Sequence, residues 1–150
     1  QHWKWATEPN PREKASFLAE NILPLQESGQ LQFVNREGNY TKNVFNNFDV
    51  LFVDGHTESM MIPHIHYKGK TLVFMADLLP SVGHIPLPYV MGYDTRPLLT
   101  LTEKEKFLIH AQEQEMILFL EHDAQNECAT LQKTDKGIRL DNTFNFSELF

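Results

Sequence analysis

Apolar and polar positions follow two rhythms along this chain. Phe17, Leu18 and Ile22 recur at helical spacing behind Asn10-Pro11-Arg12-Glu13. That pattern, with an Asn cap, Pro at the first helical position and Glu reaching back, predicts a helix over 11–22 that Pro24 ends. "QLQFV" (30–34) alternates as a strand does, and the polar, Asn-rich 35–47 reads as a loop with at most a weak strand. "FDVLFVD" (48–54) is a buried-strand pattern that stops at Asp54-Gly55. "MIPHIHY" (61–67) and "TLVFMAD" (71–77) form a hairpin across Lys68-Gly69-Lys70. Residues 78–100 carry Pro80, Pro86, Pro88 and Pro97 without periodicity, a long loop of the kind that more often carries function than packing. Thr102-Glu103-Lys104-Glu105 reads as a second capping box, opening a helix to about Glu115 with Phe107, Leu108 and Ala111 inside. "MILFLEHD" (116–123) is a strand, "CATLQKT" and "GIRLD" a final hairpin, and the tail "FNFSELF" docks through Phe144, Phe146, Leu149 and Phe150. The order helix, strands, helix, strands predicts an α+β fold, and no linker divides residues 1–150, so one domain is expected.

Composition narrows the function classes. The chain has 150 residues, 41% apolar and 22% charged, enough for a packed core. A net charge of −7 with no Lys/Arg cluster argues against nucleic-acid binding. No apolar run approaches ~20 residues, so no membrane-spanning helix is expected. The single cysteine, Cys128, excludes an internal disulfide and a Cys-only zinc site. A cytoplasmic location is the expectation. The opening "QHWKWATEPNPREKASFL" has neither an initiator Met nor the layout of a signal peptide, so the chain is expected to begin inside a longer protein.

Three apolar runs end in a metal-competent residue. "FDVLFVDG" delivers His56, "TLVFMA" delivers Asp77 and "MILFLE" delivers His122. Strands in one sheet would bring these residues to one rim, on mounts stiff enough to hold ligand distances. Imidazole and carboxylate suit zinc, iron or manganese. The competing reading is ordinary: a His at a strand end is more often a surface residue, and an Asp there more often a turn former. His64 and His66 share one strand face and could chelate. No carboxylate or third His follows them, so they read as polar positions on a solvent-facing side, opposite Ile62 and Ile65. His110 reads as solvated, and His84, in the long loop, either as an ordinary loop residue or as one that supports a ligand or faces substrate. No nucleophile elbow, phosphate loop or dinucleotide fingerprint is present.

Taken together, "GHTES" after a strand, then "GKTLVFMADLLP", then "LFLEHD" resemble the C-terminal half of metallo-β-lactamase-fold hydrolases. "DLLPSVGHIPLPYVMGYD" and "EHDAQNECATLQKTDKG" resemble a bacterial subgroup, and the likeness covers about residues 1–140. The resemblance implies half of an αββα sandwich, a mixed sheet with helices on one face. It implies that His56 binds the first metal ion, that Asp77 bridges two ions and that His122 binds the second. Zinc is the expected metal, with iron or manganese as alternatives. The implied reaction is attack of a metal-bound hydroxide on an ester, thioester, lactone or lactam carbonyl of a small molecule. The long loop would line the cleft, with His84, Tyr89 and Tyr93 as candidates to face substrate.

The chain departs from the pattern of that family. The H-x-H-x-D-H signature is expected before residue 1, together with the remaining catalytic groups. "HIHYKGK" follows the G-H-T segment and lacks the required Asp and His. Ser59-Met60 stand where a further G-H is usual. Three residues after Asp77, where lactonases of the family carry tyrosine, this chain has Pro80, which leaves Tyr89 or Tyr93 as the substitute. The isolated chain is therefore expected to be inactive, to bind metal poorly and to recruit either the missing N-terminal half or a second copy of itself as a two-fold dimer. Two other readings remain open. One is a non-catalytic, truncated or degenerate module that pairs through an open sheet face. The other is an unrelated α+β protein that binds metal or ligand through His64 and His66.

Overall fold

The computed structural model describes residues 1–149. Helices α1 (His2–Thr7) and α2 (Ala19–Glu27) come first. Strands β1 (Tyr40–Phe45), β2 (Phe48–Val53), β3 (Met60–Tyr67) and β4 (Lys70–Phe74) follow, then α3 (Pro97–Glu113), then β5 (Ile117–Phe119), β6 (Cys128–Thr134) and β7 (Gly137–Phe144). The seven strands form one sheet in sequence order. Every neighbouring pair is antiparallel except β4 and β5, which are parallel. A parallel pair needs a crossover, and residues 75–116 supply it with α3. This is an α+β fold.

The two faces of the sheet differ. Ile62, Val73, Leu118 and Ala129 face α3 and pack with Phe107, Leu108 and Ala111 into the core. The register puts the alternate residues on the other face in two rows. One row is Phe48, Ile65, Leu72 and Ile117, and the other is Phe74, Phe119, Cys128 and Phe144. Both rows are apolar from strand to strand. Phe74 stacks on Phe119 at 6.0 Å, and Phe146 meets Phe119 edge-on at 5.8 Å. The tail thus docks on a sheet face, although Phe150 lies outside the described residues. Among the described residues, no helix is long and apolar enough to cross a membrane.

Several local expectations are overturned. Asn10 does cap the following turn, its Oδ1 accepting the N–H groups of Arg12 (2.9 Å) and Glu13 (3.2 Å). Yet the Glu13 side chain turns inward to Trp5, and residues 11–16 form turns rather than a helix. The helix begins at Ala19 and runs through Pro24 to Glu27. Residues 30–34 join no ladder, and the weak strand of the polar segment is the one that forms, as β1. Helix α3 starts at Pro97, with proline in its first turn, so Thr102 lies inside it and donates to the Leu98 carbonyl (3.1 Å). His64 is not on a solvent face. It is 1% exposed, its Nδ1 donates to the Ile62 carbonyl (3.0 Å), and its ring packs edge-on against Tyr40 and Phe107.

His66 belongs to a network around buried Asp49. That carboxylate accepts His66 Nε2 (2.9 Å), Tyr40 O–H (3.0 Å) and the Asn43 N–H (2.7 Å), tying β1 to β2 and β3. Burial alone would raise its pKa, but these donors outweigh burial and hold it below the usual carboxylate value. A depressed pKa stabilises the fold above the unfolded value of about 3.9, and the contribution is lost as pH falls through the folded value. Asp49→Asn is expected to cost about 1–3 kcal/mol at neutral pH. Urea midpoints taken from neutral pH down to acid should show that difference shrinking; a difference constant with pH would refute the role of the charge.

Candidate metal centre

Two antiparallel steps make β2 run the same way as β4, and β5 is parallel to β4. The C-terminal ends of these three strands therefore lie along one rim. His56, Asp77 and His122 are each the third residue past their strand. The structure brings the three together. Asp77 Oδ2 lies 3.5 Å from His56 Nε2, and Asp77 Oδ1 lies 3.2 Å from His122 Nε2. The carboxylate thus presents one oxygen to each imidazole.

The backbone is shaped to make this possible. Ala76 adopts φ 43°, a left-handed conformation that costs an L-residue roughly 1–2 kcal/mol, and turns the chain between β4 and Asp77. The Met75 N–H bonds to the Phe119 carbonyl (3.0 Å) and ties this bend to the end of β5. The His56 turn is fastened at more points. Asp54 accepts the Ser59 N–H (2.8 Å) and is gripped by Arg36 at 2.8 and 2.7 Å. The Arg96 and Thr95 N–H groups donate to the carbonyls of Gly55 (2.8 Å) and His56 (3.1 Å). Gly55 allows this approach: a Cβ there would sit 2.3 Å from the Thr100 nitrogen.

Two acidic residues not singled out as site residues in the sequence join the group. Asp94, with a side chain 0% exposed, accepts His56 Nδ1 at 2.9 Å. Its other oxygen, Oδ2, is buried and unpartnered. A His held this way by a carboxylate keeps Nε2 aimed at a ligand position, an arrangement common behind metal-binding imidazoles. Glu13, 6% exposed, lines the same cavity of about 740 Å³ as His2, His56, Asp77, Tyr93 and His122. Its Oε2 accepts Trp5 Nε1 (2.5 Å) and Asn10 Nδ2, while Oε1 is buried without a partner. Burial lowers the His56 pKa, but the hydrogen bond to Asp94 and the charges of Asp77, Asp94 and Glu13 carry it above the ordinary value. These three carboxylates favour the charged form of His56.

His84 and Tyr89 do not line this cavity. His84 Nδ1 instead pairs with Ser81 Oγ (2.9 Å), and the Tyr89 ring is exposed. Asp94 lies in the long loop that the sequence marks as functional, but its spacing gives no hint of a partner. Glu13 reads in sequence only as part of a helix cap.

The donor chemistry fits a divalent ion. Two ligands each about 2.0–2.2 Å from one ion lie about 3 Å apart, close to both Asp77–His separations. Among the described residues no three His, Cys, Asp or Glu side chains gather on a single point. The geometry is one carboxylate shared between two imidazoles. Because the Gly55 turn carries His56, Gly55→Ala is expected to cost about 1–3 kcal/mol or more through backbone overlap with α3. Denaturant unfolding measures this, and a variant as stable as its parent would show that the turn can slide away from the helix.

No sequence-family profile and no curated protein matches the chain. Solved structures do. A probable metal-dependent hydrolase from Staphylococcus aureus superposes with a TM-score of 0.78 at 22% identity, over 95% of this chain and 48% of its own. AbOPH, a hydrolase in the beta lactamase superfamily, gives 0.73 at 17% identity over 95% of this chain and 52% of its own. AidC, a dizinc quorum-quenching lactonase, gives 0.70 at 20% identity over 93% and 48%. The chain spans about half the length of these structures, and over that half it has the fold of metal-dependent hydrolases of the beta-lactamase superfamily.

Proposed function

We propose that this chain is the C-terminal part of a metal-dependent hydrolase in which His56, Asp77 and His122 are metal ligands. The observation that carries this reading is the Asp77 carboxylate, set with one oxygen toward each of two imidazoles. Two zinc ions sharing Asp77 are the occupants proposed, with iron or manganese as chemically acceptable alternatives. Bound ions of this kind lower the proton affinity of water and polarise a carbonyl. The chain's own residues then hold the geometry. Asp94 keeps His56 Nε2 aimed inward, Glu13 provides a buried carboxylate beside the ligands, and Tyr93 stands at the cavity mouth. The substrate class proposed is a small molecule with an ester, thioester, lactone or lactam carbonyl.

A catalytic zinc usually takes three protein ligands. Each position here has one imidazole and a share of one carboxylate. The remaining donors are therefore assigned to a partner, either the other half of the fold or a second copy. The two apolar rows opposite α3 are the surface such a partner would cover. The same face supports a second reading, a non-catalytic module that pairs through the sheet without chemistry.

On its own the chain should bind zinc weakly and hydrolyse nothing. Titration calorimetry with zinc and sedimentation of the purified chain test this directly. A chain that stays monomeric at tens of micromolar would count against pairing through the sheet. In a protein that carries the remaining donors, Asp77→Asn or His122→Ala should lower bound metal and activity by orders of magnitude, while His64→Ala should leave metal content unchanged. Loss of metal from His64→Ala alone would overturn the assignment.

A further inference from the structure

Two consecutive residues of α3 make unusual bonds. The Glu103 carboxylate leaves its own helix and accepts the N–H groups of Asp54 (2.8 Å) and Gly55 (2.9 Å), immediately before His56. Lys104 is 0% exposed. Its ammonium donates to the carbonyls of His84 (2.9 Å), Pro86 (3.4 Å) and Tyr89, the last a short contact. Among the described residues no carboxylate forms an ion pair with the ammonium, so the three carbonyls satisfy it, with the charge of Asp94 acting from further off. Burial pulls its pKa down to about 8, which leaves it charged at neutral pH. Burying an ammonium without a carboxylate against it is disfavoured, and an apolar side chain would fill such a position with less strain on stability.

The two contacts reach the two partners of one hydrogen bond. Glu103 holds the segment that ends in His56. Lys104 holds the loop whose later part brings in Asp94, which bonds to His56 Nδ1. We infer that Glu103 and Lys104 are positioning residues that fix the His56–Asp94 hydrogen bond by anchoring its two strands of chain to one turn of α3. The functional meaning of this inference rests on His56 being a ligand, but the bond and its anchors are properties of the chain itself. Neither side chain touches the cavity that holds the ligand positions. Glu103 acts through backbone N–H groups, and Lys104 through backbone carbonyls and the attraction of its charge for Asp94, so the sequence around them carries no mark of the role.

The test uses the metal-free chain and does not depend on activity. A ring N–H held by a buried carboxylate exchanges slowly and is observed directly by NMR. The His56 Nδ1–H resonance, assigned by its loss in Asp94→Asn, is followed in Glu103→Gln and Lys104→Met. Amide exchange over residues 84–89 and over β2–β4 is read alongside. In Lys104→Met the 84–89 amides should exchange at least about tenfold faster, the size of one lost charge-assisted hydrogen bond. The resonance should broaden or vanish in both variants while β2–β4 stay protected. A resonance that persists in either folded variant overturns the inference, as does a parent chain that shows none. If Lys104→Met does not fold, Glu103→Gln decides alone, and a Glu103→Gln chain that also loses β2–β4 protection overturns it too, since the residue would then serve the core generally. A protein that binds no metal would defeat the proposed function without moving this result.

Discussion

The parallel pairing of β4 and β5 is the constraint on which most of this structure turns. Two neighbouring strands that run the same way cannot be joined by a tight turn. The chain must leave one end of the sheet, cross a face and re-enter at the other end. Residues 75–116 make that crossing. In doing so they provide α3, which covers one face, and the loop that contributes Asp94. The same pairing puts the ends of β4 and β5 side by side, so Asp77 and His122 emerge together. Because β2 shares their direction, His56 completes the group. Core and candidate centre thus follow from a single topological choice.

The centre does not look like a stability optimum. Ala76 holds a left-handed backbone, two carboxylates keep a buried oxygen unpartnered, and three carboxylates act on His56. Such features persist only where the surroundings enforce them. The surroundings here are dense. The His56 turn is bonded to Arg36, Thr95, Arg96 and Glu103, and the bend at Ala76 is tied to β5 through Met75. Rigidity at a strand rim is what ligand geometry requires, and it is bought from the packing of α3.

Much of this was legible in the sequence, and the reasons for the exceptions are specific. Strands announce themselves by alternation and by long apolar runs, and β2 to β7 lie close to where those patterns put them. Helix starts were less readable. The segment 11–16 carries every sign of a cap, but a cap fixes only a turn, and the Glu13 side chain is drawn to Trp5 instead of along a helix. Pro97 reads as part of a proline-rich loop although proline suits the first turn of a helix. "QLQFV" alternates as a strand should, yet it finds no ladder: β1 occupies the edge of the sheet beside β2. His64 shows the limit of binary patterning. A histidine scores as polar, but its apolar ring edge sits well between Tyr40 and Phe107 once Nδ1 finds the Ile62 carbonyl. The convergence of His56, Asp77 and His122 is legible because each follows an apolar run. Asp94 and Glu13 are not, since their roles depend on contacts across 38 residues of chain in one case and on an inward rotamer in the other.

The lone cysteine occupies an informative position. Cys128 is fully buried in the row between Phe119 and Phe144, on the face away from α3, and burial carries its thiol up to about 11. A thiol so placed is a poor nucleophile and reaches reagents only when its cover moves. The C-terminal turn lies beside it, where the Phe146 ring rests against Phe119 and the Phe146 N–H bonds to Glu127 (2.7 Å). The molecule therefore carries its own single-site probe. The rate at which Cys128 takes up a thiol label reports how often this end of the sheet opens, and with no second cysteine in the chain the signal needs no engineering to read.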